Sequence, residues 1–167
     1  NQKTIEDLCK YNDFHPSQII KVLLYIANCD DNKKHPIIIS IRGDQEVNEI
    51  KLSNEISHLL NKIILEIRPI TNEDIQKQGI SNIPFGFIGP DLSDNLLSNA
   101  QTWEKEFIRL ADISVADLKS FICGNNVEGK HKVFFNWGLL NTKQIKCDII
   151  SKNISVIFAE SNGNNNC

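Results

Sequence analysis

The sequence predicts an α+β domain built on a mixed β-sheet flanked by helices. Three observations carry this. The stretch "IIISI" (37–41) is a continuous β-branched run, the pattern of a strand buried on both faces. Leu52, Ile56, Leu59, Leu60 and Ile63 recur at helical spacing and make one apolar stripe that must face a core. Strand-like and helix-like segments interleave, yet several connections are only hairpin-length, which argues for strands of both directions. With 167 residues, the chain reads as one domain able to bury roughly 70% of its unfolded surface.

The elements follow in order. Thr4 caps a first helix, with Glu6 and Asp7 near its positive end. Pro16 in "HPSQIIK" suits a first helical position, and "VLLYIA" after it is strand-like. "CDDNKKHP" is a polar turn leading into 37–41. Asn48 is a natural N-cap for the striped helix, and "ILEIRPI" (64–70) alternates as a strand. Thr71 with Asp74 makes an approximate capping box, and Gly79 is the stop. "FGFIGP" (85–90) reads as a short apolar strand, and 91–105 as a polar stretch with a short helix through "NLLSNAQTWEKEF". "FIRLAD" is a strand. "SVADLKSFICG" reads as a helix from a Ser114 cap to Gly124, with Val115, Leu118 and Ile122 on one face. "HKVFFNW" is a strand. The domain spans 1–150, and the segment 151–167 ends in a low-complexity "SNGNNNC" that reads as disordered.

Composition narrows the function. Apolar residues at 41% and charged residues at 23% are ordinary for a soluble globular chain. A net charge of −3 argues against nucleic-acid binding by bulk charge but leaves room for a local basic groove. No apolar run reaches the ~20 residues of a membrane helix, and no signal-peptide pattern opens the chain. Cys9, Cys29, Cys123, Cys147 and Cys167 are odd in number and widely spaced without a C-x-x-C, so neither a zinc site nor a disulfide framework is supported. A reducing cytoplasm fits that usage. His15, His35, His58 and His131 lack metal-ligand spacing. The absence of methionine and the start at Asn1 read as a piece of something longer.

The candidate chemistry begins in "IRGDQEVNEIKL" (41–52). Arg42-Gly43-Asp44 reads as the exit from the buried strand, and nothing else supports an adhesion role. Lys51 falls in the first helical turn, where a capping box would place Glu and a cation opposes the helix dipole at a cost of roughly 0.3–1 kcal/mol. It is either a solvated surface lysine or, with the helix N-terminus, an anion site for a group such as phosphate. His131 ends the glycine-bounded loop "CGNNVEGK" and either points into a cleft or is structural. Asp112, just before Ser114, is a turn former or an active carboxylate. The glycines of "FGFIGP" either admit a ligand to the backbone or bend a strand. No nucleophile is flanked by a convincing base, so an enzyme here would act by positioning.

Together, "IRGDQEVNEIKL", "GFIGP", "ADISVADLKSFICGNN" and "HKVFFNW" resemble, in order and style, the editing insertion domain of bacterial-type prolyl-tRNA synthetases, in the YbaK-like aminoacyl-tRNA deacylase family. The resemblance runs from about Thr4 to about Trp137. It implies a YbaK-like, partly barrel-like mixed sheet and hydrolysis of alanine wrongly attached to proline tRNA, the second sieve of double-sieve editing. The ester would be cleaved by water with help from the terminal ribose hydroxyl, without metal or cofactor; ATP and Mg would belong only to the synthetase core. Lys51 would hold the tRNA terminus through phosphate, His131 would shape the alanyl pocket and orient the ester, and Asp112 would sit at the pocket edge. The Gly86–Pro90 loop (Gly86, Phe87, Ile88, Gly89, Pro90) would offer backbone amides to the developing oxyanion. Asn48, Ser114, Gly124 and Asn126 fall in the same motifs and are expected substrate contacts.

The implied partners are the acceptor end of tRNA(Pro) and the remaining domains of a parent synthetase, as a homodimer, with no membrane. The sequence departs from the family at Ile113, where arginine is common, and at "NWGLLN", which lacks the "RD" often found after Asn-Trp. The connection from Pro90 to Asp112 is also longer than in many relatives. A non-catalytic tRNA-binding insertion and a free-standing trans-editing deacylase are the alternatives.

Overall fold

A computed structural model describes residues 15–151. The expected Thr4 helix and the 152–167 tail lie outside them. β1 (Ile20–Cys29) and β2 (Lys34–Arg42) form an antiparallel hairpin. Its turn places Asn32 at φ 64°, a conformation asparagine tolerates better than most residues. β3 (Ile64–Pro69) pairs antiparallel with the second half of β1, while β4 (Ile108–Asp112) and β7 (Ile145–Cys147) add in parallel beyond β2. The order is β3-β1-β2-β4-β7, an open mixed sheet that closes no barrel. β5 (Phe121–Gly124) and β6 (His131–Phe135) make a separate antiparallel ribbon that meets the sheet at an Ile19–Ile122 bridge.

The doubly buried run is as expected: Ile37, Ile38, Ile39, Ser40 and Ile41 are wholly buried in β2. On one face Leu52 and Ile56 of α1 (Glu49–Leu60) cover Tyr25, Ala27, Ile37, Ile39 and Leu110. On the other, Val22, Leu24, Ile26 and Ile38 meet Ile75 of α2 (Asn72–Gln78), Ile88, Leu97, Trp103 and Phe121. The stripe of α1 is shorter than expected. Leu59 lies on the exposed side of the helix, and Asn61 turns left-handed at φ 51° and ends it, so Ile63 falls beyond it and is exposed too.

Three other expectations are corrected. No helix runs over 114–124. The Asp112 carbonyl accepts from both Val115 and Ala116 and its carboxylate accepts from Ser114, which closes a turn. Phe121, Ile122 and Cys123 are then buried in β5, a β-branched and aromatic stretch whose demand for cover overrides the helical spacing. The helix through 95–107 is a single 3-10 turn, Asp94–Leu97. "FGFIGP" forms turns rather than a strand, because Phe87 N–H closes back on the Pro84 carbonyl at 2.9 Å.

The Thr71–Asp74 box is present, with Thr71 N–H donating to Asp74 at 2.8 Å and Gly79 ending the helix at φ 71°. Arg68 of β3 adds two hydrogen bonds to the same carboxylate, at 2.6 and 2.8 Å, and so ties the strand end to the helix start. That arginine holds the Asp74 carboxyl far below the usual carboxylate range, against the opposing effect of burial. A depressed carboxylate stabilises above its unfolded pKa of ~3.9 and ceases to as pH falls. Asp74→Ala should therefore cost about 1–3 kcal/mol in urea unfolding near pH 7. The gap to wild type should narrow below ~pH 4.

Candidate functional site

A cleft of about 580 Å³ opens along the first half of β1. Ile20, Val22 and Leu24 lie along it; Pro69 and Ile70 close one end, and Cys123, Gly124 and His131 of the ribbon close the other. Phe85, Gly86 and Ile88 form the facing wall. The chamber is largely apolar. The Lys21–Glu46 ion pair, 3.1 Å, also borders it.

The facing wall is held by backbone contact. A Cβ on Gly124 would stand 2.2 Å from the Phe87 carbonyl carbon and 2.5 Å from the Ile88 oxygen, so only glycine lets β5 lie against the loop. Gly89 meets the same limit, with the Gly124 oxygen 2.6 Å from its would-be Cβ. Asn126 fastens the contact: its amide oxygen accepts from Gly89 N–H at 2.7 Å, its NH₂ donates to Asp91 at 2.9 Å, and its backbone N–H reaches the Phe87 carbonyl at 2.8 Å. Lys132 binds the other Asp91 oxygen at 2.5 Å. Burial works against the charge on Asp91, but these partners outweigh it and hold the carboxyl below its usual range. From beneath, the buried Arg109 of β4 donates to the Pro90 carbonyl at 2.9 Å, the Leu92 carbonyl at 2.6 Å and Asp94 at 3.0 Å.

This anchoring leaves particular groups open. Of the loop amides, those of Phe87 and Gly89 are bonded within the protein. Those of Gly86 and Ile88, both on the cleft wall, bond to none of the described residues. Gly86 sits at φ 87° with open space around it, so its glycine serves conformation rather than packing. His131 leans on Phe87 with ring centroids 5.3 Å apart, and burial pushes its imidazole below the ordinary histidine value. Burial drives the Cys123 thiol up to about 12, so it stays protonated and unsuited to attack. No three His, Cys, Asp or Glu side chains among the described residues gather to hold a metal ion.

The residues singled out from the sequence fall into two groups. His131, Gly86, Phe87, Ile88, Gly89, Pro90, Gly124 and Asn126 converge on the cleft wall and its anchors. Asn48, Lys51, Asp112 and Ser114 line none of it and gather around the segment 147–151 instead. Asn48 caps α1 by accepting from the Ile50 and Lys51 amides at 3.1 Å. The Lys51 ammonium, in the first turn of that helix, donates to Asp148 and to the Ile150 carbonyl, both at 3.1 Å. Asp112 is wholly buried and accepts from the Ile149 and Ser114 amides at 2.8 Å. Arg42 turns back onto Asp44 at 2.5 Å, so the Arg-Gly-Asp tripeptide is a tight strand exit.

Sequence reasoning missed the β1 wall, whose role depends on where β3 stops. It also missed Arg109, a charged residue in the middle of an apolar strand, which was the available signal.

The chain matches the aminoacyl-tRNA editing domain family over residues 1–142. It belongs to that family. The editing domain is 70% identical over 149 residues to a proline–tRNA ligase of Prochlorococcus marinus (strain NATL2A), covering 89% of this chain and 25% of that protein. It is 44% identical over 149 residues to the proline–tRNA ligase of Synechococcus sp. (strain WH7803), with the same coverage. The chain thus spans about a quarter of the length of these relatives. Its fold is shared with a putative trans-editing enzyme for prolyl tRNA synthetase at a TM-score of 0.59 and 12% identity, over 90% of this chain and 82% of the other. The resemblance drawn from the sequence motifs is borne out. No helix among the described residues is long and apolar enough to cross a membrane.

Gly124→Ala tests the backbone contact that shapes the site. The methyl meets main chain that cannot rotate away, so the loop must move or the ribbon must lift. A loss of about 1–3 kcal/mol in stability is expected, read by chemical unfolding. Gly86→Ala, with open space around it, should lose less and by backbone strain alone.

Proposed function

We propose that this chain is the editing domain of a prolyl-tRNA synthetase and hydrolyses alanine from mischarged tRNA(Pro). One observation carries the reading: an apolar cleft has on its wall two loop amides without partners among the described residues and an uncharged histidine, while the Cys123 thiol stays protonated. In this reading the methyl of alanine occupies the apolar wall of Val22, Leu24, Ile70 and Ile88. Water attacks the ester carbonyl and a new carbon–oxygen bond forms as the bond to the ribose oxygen breaks. The neighbouring ribose hydroxyl assists, and the departing oxygen leaves with a proton. The Gly86 and Ile88 amides stabilise the oxyanion, replacing the less specific assignment of the whole loop. His131 orients the ester through a neutral ring nitrogen.

Lys51 takes a role at the tRNA terminus by exchanging its Asp148 partner for a phosphate. That exchange is inexpensive, because Asp148 is more than half exposed and such pairs contribute little. Asp112 supports the site indirectly, through the turn it closes. The other synthetase domains would carry proline activation with ATP and hold the body of the tRNA.

The test is deacylation of alanyl-tRNA(Pro) by a synthetase-length protein carrying this chain and by the chain alone. His131→Ala should lower kcat by roughly tenfold or more. Lys51→Ala should raise KM and reduce the salt dependence of binding. A synthetase-length protein that leaves alanyl-tRNA intact contradicts the reading and favours a non-catalytic tRNA-binding insertion. The lowered His131 pKa adds a pH test. After division by the uncatalysed rate, activity should fall with acid at a lower pH than the ~6.5 of an ordinary histidine, where the imidazole protonates.

A further inference from the structure

We propose that the open edge of β1 at Val22 is the subsite for the α-ammonium of the aminoacyl ester, an inference that rests on the hydrolase reading above. The strand register fixes which main-chain groups face the cleft. The Ile70 N–H donates to the Leu24 carbonyl at 2.9 Å, so Leu24 turns its N–H and C=O toward the β3 side. The Cys29 N–H donates to the Lys33 carbonyl at 2.9 Å, which puts the odd-numbered residues of β1 toward β2. Alternation along the strand then turns the N–H and C=O of Val22 toward the β3 side as well.

No strand stands there among the described residues. β3 ends at Pro69, Ile70 makes the last main-chain bond to β1, and Thr71 leaves the sheet as the N-cap of α2. At the other end the ribbon touches the sheet at Ile19, by its bridge to Ile122. Between these contacts Val22 is only 7% exposed, yet it has a donor and an acceptor aimed into the cleft. Buried main-chain groups of this kind demand partners.

The chemistry of the partner follows from the pattern. A strand residue opposite Val22 would offer an N–H and a C=O flanking one Cα. An aminoacyl ester offers the same pair, an ammonium and a carbonyl on one carbon. The ammonium donates to the Val22 carbonyl in a charge-assisted bond, and the Val22 N–H meets one lone pair of the ester oxygen. The lone pairs that remain on that oxygen, two once it becomes an oxyanion, are left for the amides of Gly86 and Ile88 across the cleft. The edge therefore selects esters with a free α-amine, while the apolar wall selects side-chain size.

The experiment compares alanyl-tRNA(Pro) with lactyl-tRNA(Pro), in which a hydroxyl replaces the ammonium, on the synthetase-length protein. Each rate is divided by the spontaneous hydrolysis of the same ester. The normalised kcat/KM should favour the alanyl ester by about tenfold or more. Val22→Pro removes the cleft-facing N–H while the β1–β2 ladder, carried by odd residues, keeps its bonds; kcat/KM should fall by a similar factor. Should Val22→Pro fail to fold, the ester pair still decides. Equal normalised rates for the two esters overturn this subsite and leave the hydrolase reading standing. A wild-type protein that spares both esters overturns the hydrolase reading, and this inference with it.

Discussion

The structure depends on the unequal pairing of one strand. β1 is ten residues long and pairs with β2 over nearly all of them, but β3 is only six residues long and joins at Tyr25. The unmatched half of β1 cannot remain bare in an apolar interior, nor can it be covered fully without closing the cleft along it. The fold resolves this with a loop and a ribbon that stand off from the strand instead of pairing with it. The cleft is the space they leave, and its walls are inherited from the two cores that hold the sheet.

Standing off requires rigidity elsewhere. The loop carrying Gly86 and Ile88 has no ladder of its own, so its position comes from the Gly124 backbone contact, the Asn126 and Asp91 network, and Arg109 beneath. The first is a close approach that only glycine permits, and the other two are hydrogen-bonded anchors. The amides of Gly86 and Ile88, two residues of the cleft wall, are left without a partner among the described residues. A wall made of main-chain groups has little freedom to reorganise, which is the property that the proposed stabilisation of an oxyanion needs. The neutral His131, braced on Phe87, adds orientation without adding charge.

Much of this was legible in the sequence, for local reasons. The β-branched run of β2, the Asn48 cap, the Thr71–Asp74 box and the strand at His131 all depend on neighbours in the chain. What was misread depends on distant partners. The helical spacing over 114–124 lost to burial of Phe121 and Cys123 on a ribbon that only the folded chain provides. Lys51 reads as awkward in its own helix, and the fold answers it with Asp148, nearly a hundred residues away. The motif residues divide between a cleft wall and the 147–151 segment, a division that spacing cannot reveal. Arg109 carried a signal, a charge inside an apolar strand, but its partners at Pro90 and Leu92 and the open edge at Val22 are visible only in the folded chain.

The most direct test is to locate a non-hydrolysable mimic of the substrate terminus, 3′-alanylamino-3′-deoxyadenosine, on the protein by crystallography. The alanyl group should lie between Val22 and the Gly86–Ile88 wall, its carbonyl within hydrogen-bonding distance of the Gly86 or Ile88 amide and its ring neighbour His131. An alanyl group bound instead beside Lys51 and the 147–151 segment, with the β1 cleft unoccupied, would contradict the account.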